Sequence, residues 1–263
     1  MYVLLSPAKA LNLHSEIVCS IATEPEFQSV NQPIVDKLKK MSPSQIAKTF
    51  SLSTKLAALN YDRYQSLGSL ENLKTTRQAI FTFDGDVYQG FDAYSLDRSK
   101  FEFTQQTIRI LSGLYGILRP FDLIEPYRLE MGSSISIGRK KNLYQYWSEM
   151  ITASLNRDIE EKKHPFILNL ASNEYAKAVS FSKIRTEVIS VEFLEKEKGE
   201  LKNISFYSKK ARGLMSRYIV DHTIADRADL CGFDVERYAY DPKLSTTDKL
   251  IFTRKFQPIG KKV

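Results

Sequence analysis

The run Phe166 to Ala171, FILNLA, followed at once by Ser172-Asn-Glu-Tyr175, decides the fold class. Six nearly continuous apolar residues are the pattern of a strand covered on both faces, as in the parallel sheets of α/β proteins. A short helix opens at Ser172, and the junction between such a strand and its helix is where α/β folds carry polar chemistry. Asn169 and Glu174 are candidates at that junction. The simpler reading is that Ser172 caps the helix and accounts for the local polarity.

Working outward, Tyr2 to Leu5 reads as an opening strand stopped by Ser6-Pro7, with Lys9 just past its end. Pro33 to about Tyr61 reads as a helix, a tight turn and a second helix, with Ser42-Pro43 and Gln45 forming a capping box. Gln78 to Phe83 is strand-like, and Asp84-Gly85-Asp86 is a turn whose carboxylates either bond nearby amides or hold a divalent cation. Phe101 to Leu111 reads as helical. Ser112 to Gly132 is a loop punctuated by Gly113, Gly116, Pro120 and Pro126. Its Arg119 and Arg128 either reach a phosphate or pair with the adjacent Asp122, Glu125 and Glu130. Neither GxxxxGK nor GxGxxG occurs.

Leu143 to Glu160 is a helix carrying the single Trp147, closed off by Pro165. Glu187 to Leu194 and Leu201 to Tyr207 form a hairpin about Gly199, and Leu250 to Phe256 makes a final strand. The hairpin presents a basic amphipathic helix beginning near Lys209. Ala211, Leu214, Met215, Tyr218, Ile219 and His222 fall on one side, with Lys209, Lys210, Arg212 and Arg217 on the other. No acidic residue lies between Ile204 and Arg217, so these cations lack a local partner and project a field outward. The plain alternative is a solvated helix face.

The chain has 263 residues, is 43% hydrophobic and carries a formal charge of +7, enough for a large core and suited to an acidic partner. Cys19 and Cys231 are far apart and His14, His164 and His222 share no motif, so neither a disulfide framework nor a transition-metal cluster is expected. No signal peptide or long apolar span is apparent, which leads to the expectation of a soluble, cytoplasmic protein. No linker or repeat divides residues 1–263, so a single mixed α/β domain is the economical architecture.

Several long strings share one further property. LLSPAK (Leu4 to Lys9), RQAIFTFDGDVYQG (Arg77 to Gly90), LSGLYGILRPFDLIEPYRLEMG (Leu111 to Gly132), LYQYW (Leu143 to Trp147), NLASNEY (Asn169 to Tyr175) and SFYSKKARGLMSRYI (Ser205 to Ile219) resemble, in this order, the YaaA family of bacterial peroxide stress resistance proteins. The likeness runs almost end to end, with departures confined to linkers and the tail. It implies the single-domain cantaloupe fold with a helix-hairpin-helix-like element and a positively charged cleft. It also implies a cytoplasmic DNA-binding protein that protects against hydrogen peroxide and limits iron-driven oxidative damage.

On this reading the partners are double-stranded and branched DNA, the protein is a monomer, and no cofactor, metal or catalytic residue is assigned. The phosphate contacts expected are Lys209, Lys210, Arg212 and Arg217, then Lys9, Arg119 and Arg128. The alternative is an enzyme acting on a nucleotide or other phosphorylated substrate in the same cleft, with Lys9, Arg119, Asn169, Glu174 and Lys209 converging. An iron-sequestering protein using Asp84, Asp86 and Glu174 is a third reading, short of ligands. A compact pocket favours the enzyme; a groove as wide as a duplex favours DNA.

Overall fold

A computed structural model of the chain describes residues 1–69 and 76–256. The opening apolar run is strand β1 (Tyr2–Leu5), buried throughout, and a two-residue strand β2 (Ala10–Leu11) follows. Three helices come next: α1 (Gln32–Lys39), α2 (Pro43–Phe50) and α3 (Thr54–Ser66). The expected capping box separates the first two, with Gln45 N donating to Ser42 Oγ at 3.3 Å and Ser42 N donating to Gln45 Oε1 at 2.8 Å. A second break was not expected. Ser51 adopts a left-handed conformation (φ 51°) and Ser53 Oγ accepts from Leu56 N, so a helix end and a new cap interrupt an apolar period that continues across them.

The strand expected from Gln78 to Phe83 is instead β3 (Arg77–Gln78), a one-turn helix α4 (Ala79–Thr82) and β4 (Phe83–Asp84). Ala79 to Thr82 are all buried, so the run shows no amphipathic period, and Thr82 Oγ1 closes the turn on the Gln78 carbonyl at 2.8 Å. Helix α5 (Asp86–Phe91) follows. The helix expected from Phe101 to Leu111 ends at Thr107 as α6 (Phe101–Thr107), and Ile108–Ser112 is strand β5, buried at every position. The loop after it contains β6 (Gly116–Leu118) and β7 (Leu123–Ile124).

Helix α7 (Leu143–Lys162) stops at left-handed Lys163, just before Pro165, and leads to β8 (Phe166–Asn169) and α8 (Asn173–Ala176). Strand β9 (Glu187–Glu197) turns over Lys198 and Gly199, both at positive φ, into β10 (Glu200–Lys202). The expected second hairpin strand is cut short because α9 (Ser205–Asp221) begins four residues before Lys209. The chain ends its described course with α10 (Arg227–Leu230), β11 (Ala239–Tyr240) and β12 (Lys249–Lys255).

One sheet gathers strands from both ends of the chain in the order β11-β12-β9-β8-β1-β5-β6, with β10 also on β9. The pairs β12·β9, β9·β8, β8·β1 and β1·β5 are parallel; β6, β10 and β11 attach antiparallel. The architecture is therefore mixed α/β around a mostly parallel sheet, as the FILNLA run implies. Numbered along the chain, the parallel strands stand in the order 2-1-3-4-5, which reverses direction between β1 and β8. The two ends of the sheet are short: β6 has three residues, all buried, and β11 has two. Trp147 fills the core beside Gly116, where φ is +72° and a side chain would strike the indole at 2.7 Å. Its Nε1 donates to the Gly113 carbonyl at 2.9 Å.

Candidate functional site: a cleft at the sheet reversal

Where parallel strand order reverses, the connections leaving two adjacent strands depart to opposite sides and a crevice opens at their carboxyl ends. Here that crevice lies beyond β1 and β8. Its floor is tied by serines: Ser6 Oγ accepts from Ser172 N at 2.9 Å and donates to Ser172 Oγ at 3.2 Å. Ser172 thus spends its hydroxyl across the strand ends and makes no side-chain cap on α8, contrary to the simpler sequence reading. Tyr88 donates from its hydroxyl to the Ser6 carbonyl at 3.0 Å, fixing α5 to the same floor.

The cleft has a volume of about 320 Å³. Lys9, Lys209 and Arg212 line it together with Asp84, Asp86, Glu130 and Glu174. Lys9 Nζ is 3.3 Å from Glu130, which also accepts from Arg128, whereas Lys209 and Arg212 make no ion pair among the described residues. Arg212 is half-buried and its Nε, itself buried, has no hydrogen-bond partner. Burial pushes its pKa down, with the Glu192 charge opposing. Glu174 is held in place through Oε1, which accepts from Gly132 N at 2.9 Å. The site is a mixture of charges rather than a basic surface.

Two glycines set the position of the cationic wall. A side chain on Gly213 of α9 would overlap the Val87 carbonyl, and one on Gly90 of α5 would overlap the Lys210 carbonyl. The backbones of α5 and α9 therefore touch, which carries Lys209 and Arg212 to the lip beside Asp86 and Val87.

The other expected contacts lie elsewhere. Lys210 is paired with Glu236, and Arg217 with Asp221; Arg217 also donates to the carbonyls of Phe91 and Asp92 at the end of α5. The outward field expected of four unpartnered cations is thus reduced, because Glu236 comes from beyond the helix and Asp221 from its last turn. Arg119 binds Asp122 and the Glu24 carbonyl beside a separate cleft of about 310 Å³ that also contains Arg109, Arg157 and Lys162. Arg128 is turned onto Glu130 at 2.9 Å. Asn169 caps its own turn by accepting from Ala171 N, and does not line the cleft.

Of the residues grouped for an enzyme, the fold unites Lys9, Glu174 and Lys209 and leaves Arg119 and Asn169 outside. Sequence reasoning missed the Ser6–Ser172 floor, which only the strand order creates. Gly213, an unexplained glycine within a helix, was the signal available for the α5 contact. Among the described residues no group of three or more His, Cys, Asp or Glu is placed to hold a metal ion, and no helix is long and apolar enough to cross a membrane. Cys19 and Cys231 are free thiols, and burial pushes Cys19 up in pKa.

Comparison with known proteins agrees with the sequence motifs. The family model described as peroxide stress protein YaaA matches residues 1–244. A UPF0246 protein of Polynucleobacter necessarius subsp. necessarius is 44% identical over 254 residues, covering 97% of this chain and 98% of that protein. A UPF0246 protein of Marinomonas sp. is 45% identical over 254 residues, with 97% of each chain covered, and one of Flavobacterium johnsoniae is 43% identical across its full length. A match of this extent leaves one conclusion: the chain belongs to the YaaA family of peroxide stress proteins.

Proposed function

We propose that the protein serves the peroxide stress role of its family by binding a phosphate-bearing ligand in the cleft at the sheet reversal. The observation that carries this reading is the pair Lys209 and Arg212, free of ion pairs and facing a compact crevice, with the Arg212 Nε buried and unpartnered. A half-buried arginine without a carboxylate partner gains most from an anion, because a charge-assisted hydrogen bond to the accessible part of its guanidinium restores what burial removes. The size of the cleft and its four carboxylates favour a small phosphorylated molecule, bound or transformed there, over a length of duplex.

Duplex and branched DNA form a second reading, supported by the exposure of Lys9 and Lys209 at the rim and by the overall charge of +7. On that reading the basic residues contact backbone phosphates, and protection of DNA from iron-driven oxidation follows from occupancy.

One experiment separates the two. Lys209→Glu, Arg212→Gln and the double variant are titrated with duplex DNA across about 50 to 200 mM salt and, in parallel, with small phosphate esters. Loss of ester binding with DNA affinity unchanged supports the cleft reading. A salt slope flattened by roughly 0.9 per lost phosphate contact, without any ester binding in the wild type, supports DNA instead. Peroxide survival of cells carrying each variant then ties the affected ligand to the physiological role.

A further inference from the structure

The arrangement of charge within the cleft narrows its ligand, given the reading that a phosphate binds there. Lys209 and Arg212 stand on α9, while Asp84, Asp86 and Glu174 reach the same cavity from the β4–α5 turn and from α8. None of these five side chains makes an ion pair among the described residues, so opposite charges share one cavity without neutralising one another directly. Lys9 is already engaged by Glu130 at 3.3 Å. A simple anion satisfies only the cations and is repelled by the carboxylates. A ligand that presents both a phosphate and hydrogen-bond donors satisfies both.

We infer that the cleft takes a phosphomonoester with a polyhydroxylated body, of the size of one nucleotide. Ionised carboxylates accept without donating, so neutral hydroxyls are their natural partners, and bonds to a charged acceptor are the strong ones. The volume of about 320 Å³ lies at the lower end for ligand pockets, which accommodates one sugar phosphate or mononucleotide. Tyr88 and Tyr175, the aromatic residues lining the cleft, are both buried and offer no open stacking face, so recognition centres on the sugar and phosphate. Glu174 is the carboxylate best fixed for the donor end, because Gly132 N already orients one of its oxygens and leaves the other free to accept.

The test uses the intact protein and calorimetric titration with inorganic phosphate, ribose 5-phosphate, a ribonucleoside 5′-monophosphate, its 2′-deoxy counterpart and the unphosphorylated nucleoside. The ribose-bearing monoesters bind, inorganic phosphate binds more weakly, and the nucleoside does not bind. Equal affinity for ribose 5-phosphate and the nucleotide identifies a sugar phosphate as the ligand; tighter nucleotide binding identifies a nucleotide. Glu174→Gln, which preserves the bond from Gly132 N, weakens the ribose-bearing monoesters about 10- to 100-fold and leaves inorganic phosphate unchanged or tighter. Arg212→Gln weakens every phosphate ligand. If Glu174→Gln and Asp86→Asn bind the monoesters as well as wild type does, the polyol assignment is overturned while phosphate binding stands. If no phosphate ligand binds a protein whose circular dichroism shows it folded, both are overturned.

Discussion

Arg254 carries its charge into the interior. Its Nε lies 2.9 and 3.0 Å from the two carboxylate oxygens of Glu195, its Nη1 is 2.9 Å from Glu236, and its guanidinium sits over the rings of Tyr207 and Tyr238. Glu195 is only 1% exposed and also accepts from the Tyr238 hydroxyl at 2.6 Å. Removing one partner strands the other, so Arg254→Met lowers unfolding stability by about 3–5 kcal/mol in urea titration, while Arg254→Met with Glu195→Met recovers most of it. Nothing in the sequence announced this pair: the residues lie on separate strands that only the sheet order brings side by side. His164 has a different signature, its pKa driven down to about 4 by burial and by surrounding positive charge that includes Lys162 and Arg109. The folded state then resists a proton that the unfolded chain accepts near pH 6.5. Stability is fully present above that pH and declines as pH falls toward about 4; unfolding measured at pH 7 and pH 5 shows a smaller difference in His164→Asn than in wild type.

Among the elements, α9 was the most legible and also the most misjudged. Its buried side, Ser208, Ala211, Met215 and Ile219, follows from the 3.6 period, but burial of Gly213 does not, because α5 covers that flank. Local sequence likewise could not supply Glu236 as the partner of Lys210. Strand β5 was read as helix for a related reason: an element buried at every position has no amphipathic period to reveal its geometry. The crossing of α5 and α9 yields a prediction of its own. Gly213→Ala inserts a methyl group against the Val87 carbonyl and 2.8 Å from Phe91 N, costing about 1–3 kcal/mol or more in thermal unfolding. Because the helices must part to admit it, Lys209 and Arg212 shift together, and affinity for the proposed phosphate ligand falls in parallel.

At the scale of the molecule, β1, β8 and the greater part of β9 and β12 were readable from apolar runs, but their order was not, since pairings between distant segments set it. The cleft could not be assembled before that order was known: Ser6 and Ser172 are 166 residues apart in sequence and meet only because β1 and β8 are neighbours. The family match ends at residue 244, yet β12 lies beyond it and pairs with β9 over seven residues, burying Leu250, Ile251 and Phe252. A chain ending at Leu244 therefore exposes the Phe193 side of β9 and loses cooperative unfolding by calorimetry. The brevity of β6 and β11 has a consequence for behaviour in a crowded solution. A long bare strand is a template on which other chains can add, amide by carbonyl, and it seeds precipitation. Among the described residues this sheet ends in three buried residues on one side and two on the other, and β10 beside β9 adds three exposed ones, so each edge is only a short ledge for such growth.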